Sequence, residues 1–291
     1  MSVTRSDPAW QHGTPRRILL ATDLSSRCDR AQDRAARLAG TWGATLHLLN
    51  VIPEEAAPEA PSWRQDQSEA VRAAERHIRT DLQGALGEVL IERGEPAGTI
   101  LRQAAALDCQ LIVTGVARDE MMGRASVGRI VEHLVRESPV PVLVVKRRAR
   151  RDYGHVVAAT DFSPSSRHAL DCALAWLPEA AVTLFHAFQI PFEGLLGREA
   201  HMAEMRRLAA TEMEGFVAAV PAAARARIRT MLEYGPADAQ LARYVADHEV
   251  NLTVLGTQGR SGLAGFLVGS VAKRLLACLP SDVLMVRQPR A

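Results

Sequence analysis

Short apolar runs alternate with longer amphipathic stretches along most of the chain. Arg17-Ile-Leu-Leu-Ala-Thr-Asp23, Ala44 to Val51, Gln110-Leu-Ile-Val-Thr-Gly115 and Val142-Leu-Val-Val145 are short, rich in branched aliphatics and apolar on both faces. That pattern marks strands of a parallel sheet covered on both sides. Between them lie stretches with helical spacing. The longest predicted helices are Gln65–Gly84 and Arg198–Val220, each leading into the third strand of its half. Ser25 and Ser163 stand just after a strand, where a helix N-cap is wanted. The order βαβαβαβαβ implies an open α/β sheet with right-handed crossovers.

The pattern then repeats. Arg17 to Ser25 contains Ala-Thr-Asp23-Leu-Ser25, and His155 to Ser163 contains Ala-Thr-Asp161-Phe-Ser163, 138 residues later. Ala44 to Val51 answers Ala181 to Ala187. Val89 to Gly94 answers Ile228 to Gly235, and each is followed by Pro and Ala (Pro96-Ala97, Pro236-Ala237). Gln110 to Gly115 answers Asn251 to Gly256, and Ser138 to Lys146 answers Leu279 to Arg287. Landmarks kept in one order point to a duplication, with one domain over 1–148 and a second over 152–291.

Composition agrees with two ordinary domains. A chain of 291 residues suits two domains of about 150. Aromatics are only 4%, so the core is built from Leu, Val, Ile and Ala. A net charge of +2 gives no reason to expect nucleic acid as a partner. No apolar run reaches the ~18–20 residues of a membrane-spanning helix, and the polar start, Met1 to Arg16, has no signal-peptide core. Cys28, Cys109, Cys172 and Cys278 form no CxxC pair, so a reducing, cytoplasmic setting is expected. The basic stretch Lys146-Arg-Arg-Ala-Arg-Arg-Asp152 reads as a solvated linker.

Candidate chemistry lies beyond the strand ends, where open parallel sheets bind ligands. The fourth strand of the second half runs into Gly256-Thr-Gln-Gly259-Arg260, and nine residues separate Gly259 from Gly269-Ser270. Glycines tolerate positive φ and let a backbone approach a ligand. Gly269-Ser270 opens an apolar helical run whose first amides can hold phosphate. Asp161 can accept from a ribose hydroxyl or an adenine amine. No GxxxxGK[ST] or GxGxxG is present. Turn formation alone also explains glycines at strand ends, so the spacing leaves both readings open.

Taken together, Ala-Thr-Asp-x-Ser, the G-x2-G-x9-G-S loop and the closing Pro-Ser-Asp-Val-Leu-Met-Val-Arg287 run resemble the universal stress protein family. The resemblance implies an α/β fold of two tandem open parallel five-stranded sheets, order 3-2-1-4-5, with helices on both faces. It implies an adenine nucleotide, ATP with Mg²⁺, held in the second domain. Asp161 would hold the ribose or base, Ala187 would offer backbone to adenine, and Gly256 and Gly259 would line the sugar and phosphates. Arg260, Gly269 and Ser270 would bind phosphate. The first domain departs from the pattern: Arg118 replaces the second glycine and Arg129 replaces the serine, although Asp23 and Val51 survive. The implied role is a stress-response switch acting through an unidentified protein partner, with a homodimer left open. The alternatives are a slow ATPase or an interaction scaffold without nucleotide. No catalytic residue and no metal site is expected. His168 and Cys172 share a helix face but lack a third ligand, His186 reads as a core or strand-end residue, and Met202, Met205 and Met213 read as a core or groove face.

Overall fold

The computed structural model describes residues 13–25, 28–53, 87–116, 128–189, 198–259 and 268–288. The predicted helix Gln65–Gly84 lies outside them. The chain divides into two compact units, Thr14–Asp152 and a second containing Tyr153–Ala291.

In the first unit β1 (Arg17–Thr22), α1 (Asp29–Trp42), β2 (Thr45–Ile52) and β3 (Gly87–Arg93) are followed by α2 (Pro96–Ala106), β4 (Leu111–Gly115), α3 (Arg129–Glu137) and β5 (Val142–Val145). All neighbouring strands are parallel, in the order β3-β2-β1-β4-β5. The second unit repeats this with β6 (His155–Ala159), α4 (Pro164–Trp176), β7 (Ala181–Phe188), α5 (Arg198–Ala218), α6 (Ala222–Arg225) and β8 (Ile228–Tyr234). It closes with α7 (Ala237–Asp247), β9 (Leu252–Gly256), α8 (Ser270–Cys278) and β10 (Asp282–Val286). Its strand order is β8-β7-β6-β9-β10, again parallel throughout. The implied order 3-2-1-4-5 is therefore present in each unit.

The double-sided apolar pattern has the expected cause. Ile18, Leu19 and Leu20 of β1 and Val156, Val157 and Ala158 of β6 are all buried, because both faces of the central strands are covered. In each unit the first strand is flanked by the second and the fourth, so the direction of winding reverses between the first and fourth strands. Open parallel sheets bind ligands beyond the C-terminal strand ends at such a point.

The Ala-Thr-Asp-x-Ser sequence folds alike in both units. Thr22 Oγ1 accepts from the Leu24 amide at 3.1 Å and Asp23 Oδ1 from the Ser25 amide at 2.9 Å. Thr160 Oγ1 accepts from the Phe162 amide at 2.9 Å and Asp161 Oδ1 from the Ser163 amide at 3.1 Å. These nested turns hold Leu24 and Phe162 at φ 61° and 62°, a region side-chain-bearing residues seldom enter.

The two serines that follow diverge. Ser163 caps α4, accepting from the Ser166 amide at 3.2 Å, and Pro164 takes the first helical position. Ser25 does not cap α1. Its hydroxyl donates to Asp23 Oδ1 at 2.6 Å, and α1 begins after Cys28 with no side-chain cap.

The basic stretch after β5 is held against its own unit. Arg30 donates to the Lys146 carbonyl at 2.7 Å, Arg34 to the Arg151 carbonyl at 2.9 Å, and Arg37 to Asp152 Oδ1 at 2.6 Å. Residues 30, 34 and 37 recur at helical spacing on α1, so one face grips the segment.

Candidate functional site

Beyond the ends of β6, β7 and β9 lies a cavity of about 410 Å³, within the size range of ligand pockets. Asp161, Ala187, Gly256, Gly259, Gly269 and Ser270 all line it. Arg260 lies outside the described residues. The sequence brings these residues together because strand ends of one parallel sheet, and the turns leaving them, share one edge.

The cavity has a graded character. Phe185, Leu241, Leu255 and Leu275 supply apolar wall, while Thr160, Asp161, Thr257, Gln258 and Ser270 supply polar groups. Asp161 spends Oδ1 on its own turn. Its Oδ2 lies 3.0 Å from where a Cβ on Gly259 would stand, so the carboxylate and the glycine loop face each other closely. Thr257 is 4% exposed, and its buried hydroxyl oxygen has no hydrogen-bond partner among the described residues.

The three glycines of the motif do different work. A Cβ on Gly256 would lie 2.6 Å from Ser165 Oγ and 2.8 Å from the Ser165 backbone carbon. Gly256 is therefore required where β9 packs on α4, and the Ser165 hydroxyl in turn accepts from the Gln258 amide at 3.2 Å. Gly269 is the opposite case. Its φ is −55°, which any residue adopts, and among the described residues an added Cβ would meet only the Thr257 carbonyl at 3.9 Å. Among those residues nothing demands glycine there. Gly269 is the N-cap of α8 and makes no side-chain cap, so the opening amides of α8 stand at the cavity uncapped. Gly269 itself is anchored through its amide to the Thr257 carbonyl at 3.0 Å.

His186, read from sequence as core or strand end, lines the cavity. Its Nδ1 lies 2.7 Å from the Thr160 carbonyl; the carbonyl only accepts, so Nδ1 carries the proton. Asn50 makes the same bond in the first unit, Nδ2 to the Thr22 carbonyl at 2.9 Å. Both side chains fasten the end of the central strand to its neighbour. The Phe162 ring packs on His186 at 4.4 Å between centroids, and on Phe216 of α5 at 5.7 Å. Thr160 and Thr257 fall in the strand-end stretches where ligand contacts are expected, whereas His186 and Phe185 were not foreseen as lining residues. The only available signal was their place at strand ends.

The remaining candidates fall elsewhere. Cys172 is wholly buried in α4, where desolvation pushes its thiol well above the usual range. Burial lowers the pKa of His168, partly opposed by the Asp171 carboxylate. Among the described residues no three His, Cys, Asp or Glu side chains group as metal ligands. Met213 is buried, while Leu208 on the same helix is 45% exposed.

The first unit presents a different surface. Gly128 caps α3 at φ 80°, a conformation that does call for glycine, and Arg129 stands where α8 has Ser270. Asp23 Oδ1 accepts from the Ser25 amide, the Ser25 hydroxyl and the Cys28 thiol. Burial would raise the Asp23 pKa, but these bonds outweigh it and hold the carboxyl below its ordinary 3.8.

A doubly wound parallel sheet repeated in two tandem units, with a ligand-sized cavity beyond the strand ends of the second, defines an α/β class of protein. The sequence profile of the Universal stress protein family matches residues 14–146 and again 152–287, and the chain belongs to that family. A universal stress protein of Mycolicibacterium smegmatis is 27% identical over 95% of this chain and 99% of its own length. A structure from Pseudomonas aeruginosa UCBPP-PA14, solved under the same family name, is 26% identical with a TM-score of 0.65, covering 96% of this chain and 95% of that one. A universal stress protein from Archaeoglobus fulgidus shares the fold at 16% identity, with a TM-score of 0.68 over 94% of this chain and 98% of its own.

Proposed function

We propose that the second unit binds an adenine nucleotide, ATP with Mg²⁺, and that the chain is a stress-response protein switched by that nucleotide. The observation that carries this reading is Gly269, a glycine that neither its backbone conformation nor its packing among the described residues requires, set at a helix start with no side-chain cap on the cavity wall. A side chain there would fill the space in which a phosphate meets the first amides of α8. Ser270 adds a hydroxyl donor. At the other end, the Asp161 carboxylate suits ribose hydroxyls, and the apolar wall of Phe185, Leu241 and Leu255 suits a purine face. Mg²⁺ commonly binds through substrate phosphates with one or two carboxylates, and Asp161 is a carboxylate on the described wall. The free state of all four cysteines supports a cytoplasmic setting. Among the described residues no helix is long and apolar enough to cross a membrane.

Calorimetry on the whole chain with ATP and Mg²⁺ tests the reading. The expected result is saturable binding at one nucleotide per chain, lost in Gly269→Glu. Absence of binding to wild type at millimolar nucleotide would sink it.

A further inference from the structure

The first unit has its own cavity, of about 470 Å³, which shares helix-start positions with the crevice just described but is not lined by Asp23 or the ends of β1 and β4. It is lined by Pro53 after β2, by Gly94, Glu95, Pro96 and Ala97 entering α2, and by Arg129, Ile130 and His133 of α3. Three of these lining side chains are ionisable: Glu95, Arg129 and His133. The Glu95 carboxylate is already committed, because Oε1 accepts from the Ala97 amide at 3.0 Å and Oε2 from the Gly98 amide at 2.6 Å. The Gly98 and Ala97 amides at the positive end of α2, and to a lesser degree the nearby His133, hold the Glu95 carboxyl below the ordinary 4.5. Arg129 makes no ion pair or hydrogen bond among the described residues, and its guanidinium offers a planar fork of donors suited to a two-oxygen anion. His133 stands one helical turn further along the same face.

A second observation points the same way. Ile130 is 42% exposed, and Val271, at the same step of α8 in the other unit, is 39% exposed. Each lines the cavity of its own unit. An apolar side chain kept in the open at the second position of both helices, while its neighbour changed from Ser270 to Arg129, is suited to contacting the body of a ligand.

We propose that the first unit binds a small organic oxyanion, a carboxylate or a phosphate monoester, with its charged group on Arg129 and His133 and its apolar body against Pro53, Pro96 and Ile130. This site is independent of the nucleotide reading of the second unit.

The test uses the whole chain with histidine ring carbons labelled, His133 being assigned through His133→Gln. Benzoate and phenyl phosphate are titrated separately to millimolar concentration, and the His133 ring resonance is followed. A saturable shift with either probe supports the proposal, and the probe that gives it distinguishes carboxylate from phosphate ester. Arg129→Gln, at an exposed position where folding is not at stake, is expected to weaken that binding about tenfold or more, as loss of a charge-assisted contact does. Linear, non-saturating shifts with both probes, or equal saturation in Arg129→Gln, overturn the proposal. Because the readout is local to His133, failure of nucleotide binding in the second unit leaves this result unaffected.

Discussion

A methyl group added at Gly256 would lie 2.8 Å from the Ser165 backbone, which α4 holds rigidly in place. At Gly269 the same methyl group would meet nothing closer than 3.9 Å among the described residues. The two substitutions therefore separate folding from binding. Gly256→Ala is expected to destabilise the second unit by about 1–3 kcal/mol, the usual cost of overpacking, measurable by urea unfolding. Gly269→Ala is expected to leave stability within about 0.5 kcal/mol, yet to weaken ATP about tenfold or more by blocking approach to the α8 amides; unchanged affinity would remove the phosphate assignment. Asp23 supplies a pH prediction. Its folded-state pKa is depressed below 3.8, so its contribution to stability is complete above that value and disappears as pH falls through the folded-state pKa. Wild type should lose stability over that acid range more steeply than Asp23→Asn, as followed by urea midpoints at stepped pH.

At the scale of elements, helix starts carry more of the design than helix interiors. Ser163 holds α4 and Glu95 holds α2, each through bonds to the first free amides. Glu95→Ala is expected to cost about 1 kcal/mol, the typical value for a lost cap, read from the thermal or urea transition of the first unit. Much of this level was legible in the sequence. The all-apolar runs gave the strands, because burial on both faces leaves a plain signature, and the repeated Ala-Thr-Asp-x-Ser located the ends of β1 and β6. Ser25 was not legible. Whether such a hydroxyl turns to the helix or to the neighbouring carboxylate depends on where the first turn of α1 begins, and the loop sets that. The roles of Asn50 and His186 were hidden for a related reason. They meet the Thr22 and Thr160 carbonyls only through the register between adjacent strands, and one strand's sequence does not specify register with another.

At the scale of the whole molecule, the basic segment after β5 belongs to the first unit rather than hanging free. Arg34 is 3% exposed and donates to the Arg151 carbonyl, whereas the Arg37–Asp152 pair is open to solvent and contributes little. Arg34→Met keeps the apolar stem and loses the grip. Trypsin should then cut within 146–151 several-fold faster than in wild type, since cleavage follows local opening; an unchanged rate would mean the α1 contacts do not restrain the segment.

The contact between Gly256 and Ser165 bears on how a duplicated gene drifts. Once two copies of a fold exist, selection for folding alone preserves glycines with a packing or conformational duty and releases those whose only duty is to a bound molecule. The first unit fits that expectation. It keeps Gly115 at the strand end and Gly128 at φ 80°, and carries Arg118 where the second unit has Gly259. Motif glycines thus age at two speeds, and a copy can retain half of a binding signature long after its ligand has changed.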